Sequence, residues 1–280
     1  MRKRRGRRPQ ALLTTLLTAL LPARLMAADA PPAETPSTLQ RVEVGGESSA
    51  AREQKTVAQL LAIRKSFEKH RKLAPQAELR IRLYPRHDDA DLERLSLSLR
   101  AEGLHRPVPL DEQQRFEIDP AWAALPADTV LRSGLRDGRL AWHPDVRTPG
   151  LPPNTRRLGD LRLECHADLV GTSHLARGIV TPSYLALAAL TDVCSRYDVY
   201  GHYADVPVFS ITLVDGTRRK QLPYVHLHGS VTGQSHPLHA LLDWPYRLRD
   251  RFYWLPLSDA SWSDDTRVVL EPMDSAKEPS

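Results

Sequence analysis

From residue 76 onward the apolar side chains recur at every second position, and this constrains the fold more than any other feature of the chain. Leu79, Ile81 and Leu83 alternate with polar residues, as do Leu95, Leu97 and Leu99. A period of two places those side chains on one face of a strand. Short pieces at Val108 to Leu110, Arg115 to Ile118, Thr129 to Leu131 and Arg139 to Trp142 continue the pattern, with Asp137-Gly138 as a tight hairpin signal between the last two. Strands this short and regularly spaced predict a small antiparallel β-sandwich over residues 76–148.

Around it the pattern predicts a mainly β, α+β chain. Before the strands, residues 51–75 carry Val57, Leu60, Leu61, Phe67 and Leu73 among Lys, Arg, Glu and Gln and end at Pro75, as an N-terminal amphipathic helix would. Its basic face, Arg64 to Lys72, reads as solvated, with docking on anionic lipid heads or an acidic partner as the sharper alternative. The run Pro149-Gly150-Leu151-Pro152-Pro153 marks a boundary at residues 149–155, with a second β-rich domain over 156–273. There Leu161, Leu163 and Cys165 read as a strand. A helix is predicted from Thr181-Pro182 to about Cys194, and another short one over His236 to Trp244. Val206 to Val214 and Lys220 to His228 flank Asp215-Gly216-Thr217, the clearest hairpin. Phe252 to Leu257 and Arg267 to Glu271 supply the last strands, and residues 274–280 form a polar tail.

The N-terminus is an address. Arg2-Lys3-Arg4-Arg5 and Arg7-Arg8 precede an uncharged stretch from Ala11 to Leu21, and Leu25-Met26-Ala27 and Ala28-Asp29-Ala30 offer cleavage after Ala27 or after Ala30. Residues 1–30 therefore read as a secretory signal peptide and residues 31–50 as a flexible lead-in. A stretch of about eleven uncharged residues is short of the roughly twenty that a membrane span needs. No later segment is long and apolar enough, so no transmembrane segment is expected after cleavage. The leader also holds the excess charge. The chain has a net charge of +5 and a pI near 9.3, which falls to about −1 without residues 1–30. Nucleic-acid binding needs a basic field to displace counterions, and it is not expected here. Cys165 and Cys194 are the two cysteines. In the periplasm they should pair, closing a loop that restricts the unfolded chain by about 3.5 kcal/mol.

Two segments resemble known families. Leu39-Gln40-Arg41-Val42-Glu43-Val44-Gly45-Gly46 resembles the piece that opens the mature region of many TonB-dependent outer-membrane receptors. It implies at most that residues 38–46 pair with a periplasmic TonB-type partner by strand addition. Val108-Pro109-Leu110-Asp111-Glu112-Gln113-Gln114-Arg115-Phe116-Glu117-Ile118 resembles the strand, Asp-containing turn and Phe-centred strand of carboxypeptidase-regulatory-like or transthyretin-like sandwich domains, with the resemblance covering about residues 78–145. It implies a sandwich fold and no catalytic residues. Gln113-Gln114 stands where those domains usually have a turn glycine.

Residues able to carry chemistry gather near the C-terminal end. On a strand, His226 and His228 would share a face, and His236 and His239 would sit one helical turn apart, a set able to hold zinc, with His202 as a neighbouring ligand. Solvated or core-packed histidines explain the same residues. Asp259, Ser261, Asp264 and Asp265 form an acidic loop that reads as a capped turn, with calcium as the alternative. Trp244, Tyr246, Tyr253, Trp254 and Trp262 offer rings for stacking on an envelope glycan, or fill the last sheet. No nucleophile elbow, phosphate loop or dinucleotide fingerprint is present. The sequence thus predicts an exported periplasmic protein, non-catalytic and without a cofactor, that binds an envelope protein or glycan. A zinc-dependent hydrolase built on His226 to His239 is the alternative.

Overall fold

A computed structural model of the 280-residue chain describes residues 52–86, 92–172, 192–196, 198, 200–227 and 246–273. The leader, the lead-in, the predicted helices at 181–194 and 236–244, and the 274–280 tail lie outside these residues, apart from the end of the first helix. The described chain is mainly β, arranged in antiparallel sheets with few helices.

The segment read as one helix begins as a strand, β1 (Arg52–Thr56), and turns into α1 (Val57–His70) at a capping box. Thr56 Oγ1 accepts from the Gln59 amide at 3.1 Å while Gln59 Oε1 accepts from the Thr56 amide at 2.8 Å. These bonds satisfy donors that a helix start leaves open, and so fix where the helix begins.

β1 joins β6 (Val130–Arg136), β3 (Leu97–Ala101) and β4 (Leu104–Val108) in one sheet, in the order β1-β6-β3-β4. A second sheet has the order β5-β2-β7, with β2 (Glu78–Pro85) paired along its length with β7 (Leu140–Arg147) and at one end with β5 (Arg115–Phe116). Gly138 does turn the chain, with φ +82, but Asp137-Gly138 does not make a hairpin. β6 and β7 enter different sheets, so the turn is a corner between them.

Four further strands build the next sheet. β10 (Val208–Asp215) and β11 (Arg218–Gln221) form the expected hairpin about Gly216, and β13 (Arg267–Pro272) links β10 to β8 (Thr155–Arg157). β9 (Gly201–Tyr203) and β12 (Phe252–Trp254) pair separately. The arm after Asp215 is shorter than the sequence suggested. Pro223, which has no amide proton, opens a 310 turn over Tyr224–His226.

The largest departure is at Leu161, Leu163 and Cys165, which lie not on a strand but in α2 (Leu158–Thr172). Leu163 and Ala167 enter a core shared with α1, β2, β3 and β7, whereas Leu158, Leu161 and Cys165 enter a second core with β10, β12 and β13. A helix buried on several sides shows no single apolar stripe, so its helical period is hidden. Because α2 is held in common, residues on both sides of the proline-rich turn at 149–155 belong to one compact unit. Cys165 is bonded to Cys194, on a short helix α3 (Val193–Arg196), with 5.9 Å between their Cα atoms. No helix among the described residues is long and apolar enough to cross a membrane.

Candidate functional site

α2 carries Asp160, Glu164 and Asp168 at four-residue steps, which places three carboxylates on one helix face. All three are buried. A buried carboxylate must be met by donors, and here each is met in turn along one strand. Asp160 accepts from the amide and hydroxyl of Thr148 at 2.9 and 2.7 Å. Glu164 accepts from the Val146 amide at 3.1 Å, and Asp168 lies 3.6 Å from His143 Nδ1. The acidic stripe of α2 is thus in register with β7 and the residue that follows it.

Glu164 is the most elaborately held. Arg156 Nη2 donates to it at 2.8 Å and His202 Nδ1 at 2.8 Å. Burial alone would raise its pKa, but Arg156 and His202 outweigh that and hold it at about 2. Glu164 is therefore an acceptor only, which fixes His202 as the tautomer protonated at Nδ1. Burial pushes the His202 imidazole below its usual range against the pull of Glu164, so the ring is neutral. Its Nε2 is buried and has no hydrogen-bond partner among the described residues. An imidazole oriented by a carboxylate is half of a general-base device, but the other half, a hydroxyl or thiol bonded to Nε2, is not present among the described residues. The rings of Tyr200 and Tyr253 flank it instead.

From Glu164 the charges run outward in alternating sign. Arg156 Nη1 lies 3.9 Å from Asp145, which also takes Arg147 Nε at 2.7 Å and Arg115 Nη1 at 3.2 Å. Arg147 forms a two-pronged pair with Asp205 at 2.8 Å for each bond, and Arg82 pairs with the same carboxylate. Burial would raise the pKa of Asp205, yet Arg147 and Arg82 hold it well below the carboxylate range. Arg115 Nε reaches Asp111 at 2.8 Å, and Arg80 bonds Asp111 at 3.0 Å and Glu117 at 3.2 Å.

The outer end of this chain opens into a cleft of about 430 Å3 between the edge strands β4 and β5. Its lining includes Arg80, Asp111, Arg115 and Glu117 together with Arg106, Pro107, Pro109 and Leu110. In the turn that leads into β5, Gln114 has φ 60, the left-handed conformation that glycine adopts most readily. Asp111 stabilises the same turn by accepting from the Gln113 and Arg115 amides at 2.9 Å each.

The residues singled out in the sequence are distributed elsewhere. His226 sits on the 310 turn, with Nδ1 3.3 Å from the Trp254 carbonyl, and burial lowers its pKa. It is therefore not on a strand face shared with His228. His228, His236, His239 and Trp244 lie outside the described residues, and among the described residues no three metal-binding side chains converge. Tyr253, Trp254 and Trp262 are buried, so their faces are spent on packing, and Tyr246 opens a 310 segment over Tyr246–Arg251. The Arg218 guanidinium covers Trp262 at 3.6 Å. In the acidic loop, Asp259 caps the Ser261 amide at 2.9 Å, Asp264 pairs with Arg162 at 2.6 Å, and Asp265 pairs with Arg157.

No protein-family model, curated protein or solved structure matches the chain.

Proposed function

We propose that the chain is an exported, non-catalytic binding protein of the bacterial envelope, and that its partner docks in the cleft between β4 and β5. The observation that carries this reading is the distribution of charge. Behind the cleft the carboxylates and guanidiniums are consumed by one another, and His202, the residue best oriented for acid–base work, is sealed in the core. At the cleft rim, Arg106, Glu117 and Asp119 are exposed beside Pro107 and Pro109. Trp122, the cleft's tryptophan, is buried at 4 % exposure. Without an open ring face, a mixed-charge protein surface suits the site better than a sugar. The Cys165–Cys194 bond fits the oxidising compartment that the leader implies.

The test uses the full chain produced with its leader. The mature protein should appear in the osmotic-shock fraction with its N-terminus near Ala28 to Pro31 and no free thiol. A photo-cross-linking residue at position 109 should then capture one discrete envelope protein, and Arg106→Glu should lower that capture roughly tenfold without moving the melting temperature. Retention in the cytoplasm, or unchanged capture in the Arg106→Glu protein, overturns the reading.

A further inference from the structure

Among the described residues three large apolar side chains are exposed, Phe209 at 62 %, Tyr224 at 77 % and Val225 at 46 %, and all three stand at one end of the β10–β11 hairpin. Single exposed apolar residues are ordinary, but a cluster marks a contact surface. The backbone is shaped to present Phe209. Along β10 the pairing with β13 passes from Val208–Pro272 to Ser210–Glu271, so Phe209 is an extra residue with no partner across the ladder. A bulge of this kind re-aims a side chain. Here it lets Val208 enter the core, where it is fully buried, while Phe209 faces out.

Tyr224 and Val225 reach the same end by a second route. After the Thr212–Gln221 pair, the Leu222 amide donates to the Ile211 carbonyl at 2.9 Å. This keeps the chain alongside β10 as it approaches Tyr224. β11 itself is an edge strand, exposed at all four positions, and reads Arg218-Arg219-Lys220-Gln221 with no acidic residue. Arg218 is partly engaged, bonding the Ser261 carbonyl at 2.8 Å and covering Trp262. Arg219 and Lys220 stand opposite Val214 and Leu213, apolar neighbours across the ladder, and the Asp259 carboxylate lies within electrostatic reach of Arg218 and Lys220. Glu271, the nearest carboxylate on β13, is bonded by Ser210 Oγ at 2.6 Å.

Exposed aromatic residues beside an exposed cationic edge strand match an anionic lipid surface, with rings at the headgroup level and cations against the phosphates. We propose that this end of the β10–β11 hairpin docks the protein on a membrane containing anionic phospholipid. The surface is separate from the β4–β5 cleft and does not depend on the partner proposed there.

Flotation of the disulfide-bonded mature protein with vesicles tests this. The protein should float with phosphatidylglycerol–phosphatidylethanolamine vesicles and not with phosphatidylcholine vesicles, and raised salt should release it. The pair Arg219→Glu, Lys220→Glu should lower the bound fraction about tenfold or more. The pair Phe209→Ser, Tyr224→Ser should do the same while keeping the wild-type melting temperature, since all four side chains are exposed. Absence of the wild type from the anionic vesicle layer, equal flotation with both vesicle types, or unchanged flotation of both variants overturns the proposal. A concentration-dependent dimer that is lost in Phe209→Ser, Tyr224→Ser, without any vesicle binding, assigns the surface to a second copy of the chain and overturns it too.

Discussion

Two residues show how local chemistry sets the energetics. Gln114 holds φ 60 in the turn before β5, a conformation that costs a side chain with a Cβ about 1 kcal/mol. Gln114→Gly should therefore raise stability by up to about 1 kcal/mol, read as a higher urea midpoint with an unchanged slope. A loss of stability would show that the Gln114 side chain contributes more than its backbone strain costs. Glu164 is the opposite case. Its carboxylate answers Arg156, His202 and the Val146 amide at once, and removing one member of a buried ionic set leaves the others uncompensated. Glu164→Gln should cost about 3 kcal/mol or more, and adding Arg156→Met should recover part of that loss. If Glu164→Gln costs less than about 1 kcal/mol, the buried charges are not what ties α2 to β7 and β9.

At the scale of elements, the contact between α1 and α2 carries a pH dependence. The imidazoles of His70 and His166 stack with centroids 4.1 Å apart, and Ser66 ties the helices by donating to the His166 carbonyl at 2.7 Å. Burial first, then His70 and Lys69, push His166 down to about 4 against the opposing pull of Asp192. The unfolded chain binds this proton near pH 6.5 and the folded chain only near 4, so the His166 contribution is complete above 6.5, declines as the pH falls from 6.5 to 4, and changes no further below. His166 contributes at most about 3 kcal/mol to that decline. His202, also shifted down, adds to it. His166→Asn should make the fall in unfolding free energy between pH 6.5 and 4 shallower, and an unaltered slope would remove His166 from the account. These helices also show what a sequence can disclose. α1 faces one core, so Leu60 and Phe67 betray its period, although the capping box at Thr56 starts it later than the pattern did. The Asp215-Gly216 hairpin is equally plain because the turn chemistry is local. α2 is concealed because Leu161 and Leu163 serve different cores. Its stripe of Asp160, Glu164 and Asp168 was visible at four-residue spacing, but a carboxylate at such spacing reads as solvated until its donors on β7, β8 and β9 are known. Phe209 was hidden differently, since alternation places it inside and only the bulge turns it out.

For the whole molecule, the sharing of α2 decides whether the proline-rich turn at 149–155 separates two folding units. Leu163 lies in the core that holds Trp122 and Trp142, whereas Leu161 lies in the one that holds Trp262. The two side chains are two positions apart on one helix, so neither core can lose its part of α2 while the other keeps it. Further ties cross the same turn, with Arg156 donating to the Val146 carbonyl at 2.7 Å and Arg147 pairing with Asp205. Unfolding should then be a single transition even though the cores are distinct. Two proteins, one keeping Trp142 and one keeping Trp262 as sole tryptophan, report on one core each. Their urea midpoints and slopes should coincide once each is compared with its own far-ultraviolet circular dichroism. Leu161→Ala and Leu163→Ala should each cost about 2–5 kcal/mol and move both reporters together, including the one in the core that the substitution does not enter. Separate midpoints, or a Leu161→Ala effect confined to the Trp262 reporter, would mean that α2 frays between its two halves and that the turn at 149–155 is a true domain boundary.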